Sequence, residues 1–414
     1  MYILVNILSE RVYFIGKNPF DVFALESADT FQQLTITQKI AKHKTYGGNT
    51  LFLDGSDHSM TAYGSSLFYE LGTSEQVTLD SISRSSFFLN SQVKMFSLGA
   101  DHSMVLLTDD RLYWQGKQTH PGYKEYRPSL IHYRVSDGGT IPDSETIISI
   151  GSCQEADYIQ TNTALYFFRF CDVGLCGFDY TSAPAEISGN QTQPVKFQFP
   201  PSLKLAKVFF YDTFIIIQDT YGYNHVSGNF PCFQYYSNVR YLPNFYFTHL
   251  TTNPQKTSVF YVLKNGTFGG CGADFRFSTS TVRQFQIPET RGTVIDIGAG
   301  SNGWYVLTEN YFYVYGSLEV NGKTLVTKYG WHPVKRVKGM NQIVVNDKWI
   351  ILYNSTGATG GDTVKTDTST VDKVTLYVVL FGVLPIMGLV CLILWVVSNC
   401  EDKYKEIKKN AKND

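Results

Sequence analysis

A short pattern recurs through most of the chain and constrains its fold more than any other feature. The pattern is an apolar residue, a glycine three positions later, and a histidine or a substitute three positions after that. It occurs at Phe52, Gly55 and His58; at Phe96, Gly99 and His102; at Ile148, Gly151 and Gln154; and at Ile297, Gly300 and Gly303. The first three glycines are 44 and 52 residues apart, and Gly300 follows 149 residues after Gly151, close to three periods.

Aromatic segments that end in glycine follow three of these copies, at residues 67–72, 112–116 and 312–316. Aromatic side chains favour strands, and the chain has 29 Phe and 28 Tyr. Each unit is therefore predicted to contain several short strands separated by turns, which is typical of a propeller blade.

The two ends of the repeat region each resemble half a unit. Residues 12–18 match the second half of a blade, and residues 334–353 begin a unit and then stop. Six whole units and one shared unit predict an all-β, seven-bladed propeller that N- and C-terminal strands close. Closure removes the exposed sheet edges that an open array would leave.

Residues 99–117, GADHSMVLLTDDRLYWQGK, resemble a repeat of the regulator of chromosome condensation family, and residues 55–72 are similar. The resemblance covers roughly residues 1–354, is sharp in these two units and is weaker at 148–170 and 294–316. It implies a seven-bladed propeller in which certain repeat residues form a structural framework: Gly55, His58, Gly99, His102, Gly151 and Gly300. The founding activity of that family is nucleotide exchange on the GTPase Ran, with chromatin binding, and no residue of an exchange-active loop can be matched here.

Motifs for catalysis are missing from the sequence. No nucleophile elbow, zinc-protease or phosphate-loop string occurs. The segments Asp57-His58-Ser59 and Asp101-His102-Ser103 cannot act as triads because neighbours on a strand point to opposite faces. The cysteine spacings match no zinc site. We therefore predict a protein that is not an enzyme and has no cofactor or metal.

A run of 24 uncharged residues, 374–397, is long enough to cross a bilayer as a helix. We predict four regions: the propeller at 1–354, a flexible stalk at 355–373, the transmembrane helix at 374–397 and a short basic tail at 398–414. Lysines cluster in the tail, so the positive-inside rule predicts a cytoplasmic tail and a lumenal or external propeller. The N-terminus is a poor signal peptide, which leaves open a tail-anchored protein with a cytosolic propeller.

Several candidate modification sites follow from this topology. Asn190, Asn265 and Asn354 are sequons for N-glycosylation. Tyr404 and Ile407 fit an adaptor-binding sorting motif, and Cys400 is a candidate for palmitoylation. The five cysteines of the body either include a small Cys171–Cys176 disulfide loop or are all buried thiols.

The sequence therefore predicts a non-enzymatic single-pass membrane glycoprotein, held in the plasma membrane or an endomembrane, whose propeller recognises a protein or a glycan, like a receptor or adhesin. The alternative is a tail-anchored, cytosol-facing scaffold or a guanine-nucleotide exchange factor for a small GTPase. The net charge of −1 and the lack of a basic cluster argue against nucleic-acid binding. The ligand and the binding face stay open.

Overall fold

The computed structural model describes residues 10–20, 27–36, 39–88, 91–117, 128–154, 156–169, 193–197, 204–230, 236–242, 246–252, 258–272, 283–285, 293–300, 303–320, 323–337, 339–346 and 348–355. The chain divides into two compact units, Met1–Ala358 and Thr359–Asp414. The predicted transmembrane helix and tail lie outside the described residues, as does the stalk except for Ser355, so these boundaries stay predictions. No helix within the described ranges has the length and apolar character that a bilayer crossing requires.

The described strands form seven four-stranded antiparallel sheets, and consecutive strands build one blade after another. The chain begins with β1 (Glu10–Lys17) and β2 (Ser27–Ile36). Blade 2 contains β3 (Ile40–Tyr46), β4 (Asn49–Asp54), β5 (Met60–Ser66) and β6 (Val77–Arg84). Blade 3 contains β7 (Val93–Leu98), β8 (His102–Leu107), β9 (Leu112–Gly116) and β10 (Ser129–Ile131). Blade 4 contains β11 (Ile147–Ser152), β12 (Ala156–Thr161), β13 (Leu165–Arg169) and β14 (Val195–Lys196).

The remaining blades repeat this order. Blade 5 contains β15 (Leu205–Phe210), β16 (Phe214–Asp219), β17 (Asn224–Gly228) and β18 (Tyr236–Leu242). Blade 6 contains β19 (Phe247–Thr252), β20 (Ser258–Leu263), β21 (Phe268–Gly272) and β22 (Arg283–Phe285). Blade 7 contains β23 (Val294–Ala299), β24 (Gly303–Thr308), β25 (Tyr311–Val320) and β26 (Lys323–Arg336). The chain then returns to the first sheet through β27 (Gln342–Asn346) and β28 (Trp349–Tyr353).

Blade 1 is shared between the two ends of the propeller. Its strand order is β2-β1-β28-β27, and β1 pairs antiparallel with β28, with Tyr13 opposite Leu352 and Gly16 opposite Trp349. The N-terminus therefore supplies the two outer strands and the C-terminal part supplies the two inner strands. The predicted seven-bladed all-β fold, closed by strands from both ends, is confirmed.

Burial changes with distance from the propeller axis. First strands of neighbouring blades contact one another, as β3 contacts β7 and β23 contacts β27, so these strands surround the central channel. The second strands are buried on both faces; all residues of β8, β12, β20, β24 and β28 are buried. The outer strand β6 is largely exposed. Second strands can therefore be continuously apolar, as strands covered on both faces usually are.

The core is a series of apolar layers between adjacent blades. One cluster joins Leu51 of blade 2 to Phe96 of blade 3, and another joins Phe260 of blade 6 to Trp304 of blade 7. The largest cluster extends from blade 7 through blade 1 to blade 2. Large aromatic rings suit these layers because each ring buries much area between two sheet faces.

Irregular pairing marks the same place in six of the seven first strands. The register shifts lie between Ile40/Lys42, Val93/Met95, Ile147/Ser149, Leu205/Lys207, Phe247/His249 and Val294/Asp296. Each shift leaves one residue without an opposite partner, which increases the twist of the strand. Side chains of the preceding blade bind several of these distorted segments: Gln160 Nε2 donates to the Ala206 carbonyl (3.2 Å), and His249 Nε2 lies 3.0 Å from the Ile295 carbonyl.

Candidate binding site at the mouth of the central channel

The first strand of each blade ends on one face of the propeller, which we call the upper face. The turn that follows Tyr46 is a two-residue hairpin, Gly47-Gly48, in which Gly47 has φ 54°. A glycine pair suits such a turn because tight hairpins need positive φ values. The turn leaves the Tyr46 side chain at the inner end of blade 2, beside the channel mouth.

A hydrogen bond spans this mouth. Tyr46 Oη of blade 2 donates to Asp212 Oδ2 of blade 5 at 2.7 Å, although two blades separate them along the ring. The second oxygen of Asp212 accepts the backbone N–H of Gln154 in blade 4 at 3.0 Å. Burial, with the Asp212 charge as the next cause, raises the pKa of Tyr46. The phenol therefore stays protonated and keeps donating to the carboxylate.

Blade 3 adds a second carboxylate to the upper face. The Asp101 side chain is 21% exposed, and its Oδ1 lies 3.2 Å from His102 Nδ1. The other ring nitrogen of His102 lies 2.8 Å from Asp157 Oδ1 in blade 4, and both of these side chains are fully buried. The imidazole also stacks on Trp114, with ring centroids 5.6 Å apart. His102 thus joins blades 3 and 4 directly below the surface that displays Asp101.

The other copy of the same motif has a different position. Gly55 lies in the turn between the second and third strands of blade 2, whereas Gly99 lies in the turn between the first and second strands of blade 3. His58 is consequently exposed on the opposite, lower face and has φ 56°, while His102 is buried. Asp54 and Asp57 accept backbone N–H groups two residues ahead, which makes a local turn that either position can use.

The two remaining marker glycines, Gly151 and Gly300, have different positions in their blades. Gly300 is equivalent to Gly99, since its N–H donates to Gly303 as that of Gly99 donates to His102. In blade 4 the equivalent bond joins Cys153 to Ala156. Gly151 therefore lies two residues earlier, inside β11 and opposite Tyr158.

Ionisable side chains also line the channel just after the strand irregularities. Asp296 of blade 7 accepts the N–H of Ile343 in blade 1 at 2.8 Å and that of Ile297 at 2.9 Å. Burial raises the pKa of Asp296 to about 7, although these two backbone bonds favour the charged form. Burial also lowers the pKa of His249 in blade 6, so this imidazole is neutral.

The predicted modification sites are spread over the chain. Asn265 is exposed in the turn between β20 and β21, and its Oδ1 accepts the N–H of Thr267 at 3.0 Å. Asn354 is half-buried directly after β28. Asn190, Cys400, Tyr404 and Ile407 lie outside the described residues. Among the cysteines the structure describes, Cys153 is a buried thiol that donates to the Ala156 carbonyl at 3.3 Å, and Cys271 is disulfide-bonded; Cys171 and Cys176 are not described.

The chemistry of the channel mouth suits binding. The segment Asp101-His102-Ser103 does not converge on one point. Ser103 donates its hydroxyl to the Glu70 carbonyl at 2.7 Å, on another side of the strand from the His102 imidazole. The part of the chain that the structure describes contains no cluster of His, Cys, Asp and Glu suited to a metal ion. The Asp212 carboxylate, held by a phenol and a backbone N–H, is fixed in position and can accept hydrogen bonds from a cationic group.

Tyr46, Gln154 and Asp212 were not predicted from the sequence. They share no motif, and Gln154 entered the repeat pattern only as a substitute for histidine. A better guide is the glycine of the third strand, which pairs with the first residue of the second strand. Gly116 pairs with His102, Gly228 with Phe214, and Gly316 with Gly303. Counting back from that glycine identifies the upper-face turn in these blades, whereas in blade 4 Arg169 takes the place of the glycine and pairs with Ala156.

No family model and no curated protein matches the chain. Solved structures do match it. Human WBSCR16 superposes with a TM-score of 0.62 and 14% identity, covering 84% of this chain and 100% of that one. Prp20p from Saccharomyces cerevisiae gives a TM-score of 0.60 and 10% identity, with coverage of 90% and 96%. Yeast RCC1 (Prp20) crystallised with Kap60 gives a TM-score of 0.58 at 10% identity, with coverage of 89% and 92%. At these identities the likeness establishes the fold alone, and it supports the predicted RCC1-like propeller.

Proposed function

We propose that the chain is a non-enzymatic recognition protein whose propeller binds a protein partner at the mouth of the central channel. The observation that carries this proposal is the convergence of Tyr46, Asp101, Gln154 and Asp212 from four consecutive blades. Their geometry is set by hydrogen bonds between blades, so the surface loses little conformational entropy on binding. Loops on a rigid scaffold are where binding residues concentrate.

The partner is proposed to present lysine or arginine at the channel mouth. Asp101 and Asp212 are both partly accessible, and charge-assisted hydrogen bonds to carboxylates are about twice as strong as neutral ones. Biolayer interferometry with the full-length chain in detergent would compare the binding of an arginine-rich peptide with that of a glutamate-rich one. We expect salt-sensitive binding of the arginine-rich peptide alone.

Two variants make this test specific. Asp212→Asn keeps the shape of the side chain and removes its charge, and it should weaken peptide binding about tenfold, since a charged hydrogen bond contributes about 1.5 kcal/mol or more. Asp137→Asn alters an exposed carboxylate in the connection between blades 3 and 4 and should have no effect. Equal binding by both variants would rule out the channel mouth as the binding site.

We also propose that residues 374–397 anchor the chain in a membrane with the propeller on the lumenal or external side. The disulfide at Cys271 supports this topology, because structural disulfides are rare in the cytosol. Digestion with peptide-N-glycosidase should increase the mobility of the protein, and sealed microsomes should protect the propeller from added protease. An unshifted, protease-sensitive propeller would instead favour the tail-anchored orientation.

A second candidate function is binding of a small GTPase, with or without nucleotide exchange. The fold match to Prp20p, whose structure was described together with its binding to Gsp1p and histones, favours this candidate. Release of fluorescent nucleotide from a panel of small GTPases is the direct assay. Acceleration of release by the full chain would support an exchange factor, and binding without acceleration would support a scaffold.

A further inference from the structure

Four tyrosines form an exposed cluster on the lower face, where blades 5 and 6 meet. We call Tyr221, Tyr223, Tyr241 and Tyr246 the tyrosine platform. The first three are 70%, 39% and 47% exposed, and Tyr246 is half-buried. Single exposed apolar side chains are ordinary, but contiguous exposed aromatic rings usually mark an interaction surface.

The platform is held rigidly. Tyr223 packs edge-to-face against Tyr241, with centroids 5.5 Å apart, and lies 5.6 Å from Tyr246. Asp219 Oδ1 accepts the N–H groups of both Tyr221 and Tyr223 at 2.9 Å, which fixes the turn that carries them. The rings of Tyr223, Tyr241 and Tyr246 are therefore preorganised before anything covers them, and the backbone that carries Tyr221 is fixed beside them.

A sequon lies directly beside this surface. The carbonyl of Tyr246 accepts the N–H of Lys264 at 2.8 Å, and Asn265 is the next residue. Asn265 is exposed, and Gly266 has φ 79° in a tight turn closed by the N–H of Leu263 and the carbonyl of Thr267. A sugar attached to Asn265 would start within one residue of the platform.

We propose that Asn265 is N-glycosylated and that the first sugars of its glycan cover the tyrosine platform. This inference rests on the lumenal topology proposed above. In the attachment step, the amide nitrogen of Asn265 bonds to the anomeric carbon of a lipid-diphosphate-linked oligosaccharide. The amide loses one proton, and the lipid diphosphate leaves with the bonding electron pair.

The chemistry of the platform fits this occupant. A pyranose ring has one face of C–H groups, which pack favourably against the negative face of an aromatic ring. The sugar hydroxyls can accept and donate hydrogen bonds with the tyrosine hydroxyls at the ring edges. Covalent attachment supplies a high local concentration of the sugar, so weak individual contacts suffice.

Matched variants at Thr267 test the proposal in the full-length chain made in a secretory host. Thr267→Ala destroys the sequon and keeps Asn265, whereas Thr267→Ser keeps the sequon. Site-specific mass spectrometry would measure glycan occupancy, and mild iodination would measure the accessibility of Tyr221 and Tyr241. We expect a several-fold increase in iodination of both tyrosines in Thr267→Ala only, with the half-buried Tyr113 of blade 3 unchanged.

The possible outcomes distinguish a failure of this inference from a failure of the proposed lumenal topology. Glycans at Asn190 or Asn354 with an empty Asn265 would overturn the inference and leave the lumenal topology standing. The absence of glycan from all three sequons would overturn both. An occupied Asn265 with equal iodination in the two variants would show that the sugars extend into solvent and do not cover the platform.

Discussion

The two histidines of the repeated motif show how strongly the role of a residue depends on its position in a blade. His102 is buried between Asp101 and Asp157, and His58 is exposed in a turn on the lower face. Each ring nitrogen of His102 lies within hydrogen-bond distance of one of these carboxylates, so an imidazole N–H is a donor to a carboxylate there. Its removal leaves buried carboxylate oxygens without that donor.

The matched substitutions His102→Asn and His58→Asn should therefore differ in their effect on stability. We expect His102→Asn to lower the free energy of unfolding by about 3 kcal/mol, because the buried Asp157 carboxylate loses a hydrogen-bond donor. His58→Asn should change it by less than about 0.5 kcal/mol, because asparagine tolerates a positive φ and the site is exposed. Urea denaturation followed by tryptophan fluorescence measures both. Similar losses would contradict the structural distinction between the two motifs.

Asp296 predicts a dependence of stability on pH. Its pKa is raised by burial to about 7, above the value of about 3.9 expected in an unfolded chain. Between these values the folded state holds a proton that the unfolded state releases, so the carboxyl group lowers stability as pH rises. Asp296→Asn should remove this loss, and its stability relative to the wild type should improve from pH 5 to pH 8 by about 3 kcal/mol at most. Parallel pH profiles would argue against a buried, protonated Asp296.

At the scale of the strand, the repeat is defined by the glycine of the third strand more than by the glycine of the motif. Gly16, Gly64, Gly116, Gly228 and Gly316 all have positive φ values in the third strands of their blades. The sequence pattern placed Gly116 and Gly316 at the ends of aromatic segments and Gly16 within the half-unit at residues 12–18. It chose residues 67–72 in blade 2, which form turns, because the true third strand ends in polar Gly64-Ser65-Ser66.

Gly116 should be intolerant of a side chain. It has φ 130°, and a Cβ atom there would lie 2.3 Å from the carbonyl oxygen of Asp101, which also accepts the N–H of Lys117. We expect Gly116→Ala to cost about 3 kcal/mol of stability. Gly222→Ala is the control: its φ is 87°, but nothing lies within 4 Å of the added carbon, so only the backbone cost of about 1 kcal/mol applies. Equal costs in thermal unfolding would show that the close approach to Asp101 is unimportant.

The sequence failed to predict some element boundaries for a physical reason. Aspartate, serine and glycine form tight turns through local hydrogen bonds, and those bonds do not depend on which strands the turn connects. The motif therefore identified turns correctly in blades 2 and 3 without distinguishing their place within the blade. The channel-mouth residues depend on that place, so they could not be predicted from the motif.

At the scale of the whole molecule, the number of blades and their closure were predictable because both follow from the incomplete units at the ends of the repeat region. Because blade 1 is shared between the two ends, the strands that close it are essential to the apolar core of the propeller. Val12, Phe14, Ile350 and Leu352 all belong to the largest apolar cluster. Their loss would expose the facing sheets of blades 2 and 7.

A chain truncated after Val337 lacks β27 and β28 and should lose cooperative unfolding, because blade 1 then retains only its two outer strands. A chain truncated after Ala358 keeps the entire first compact unit and should unfold in a single cooperative transition. Circular dichroism during heating distinguishes the two. A sharp transition in the shorter chain would mean that the propeller is stable without closure.

The position of β28 also determines how the propeller responds to mechanical force. The chain leaves the propeller at Tyr353 from a strand in the interior of its sheet, with β27 on one side and β1 on the other. Tension applied beyond residue 355 pulls along that strand and loads both hydrogen-bond ladders in shear at once. A tether attached there can bear a load without peeling an edge strand away.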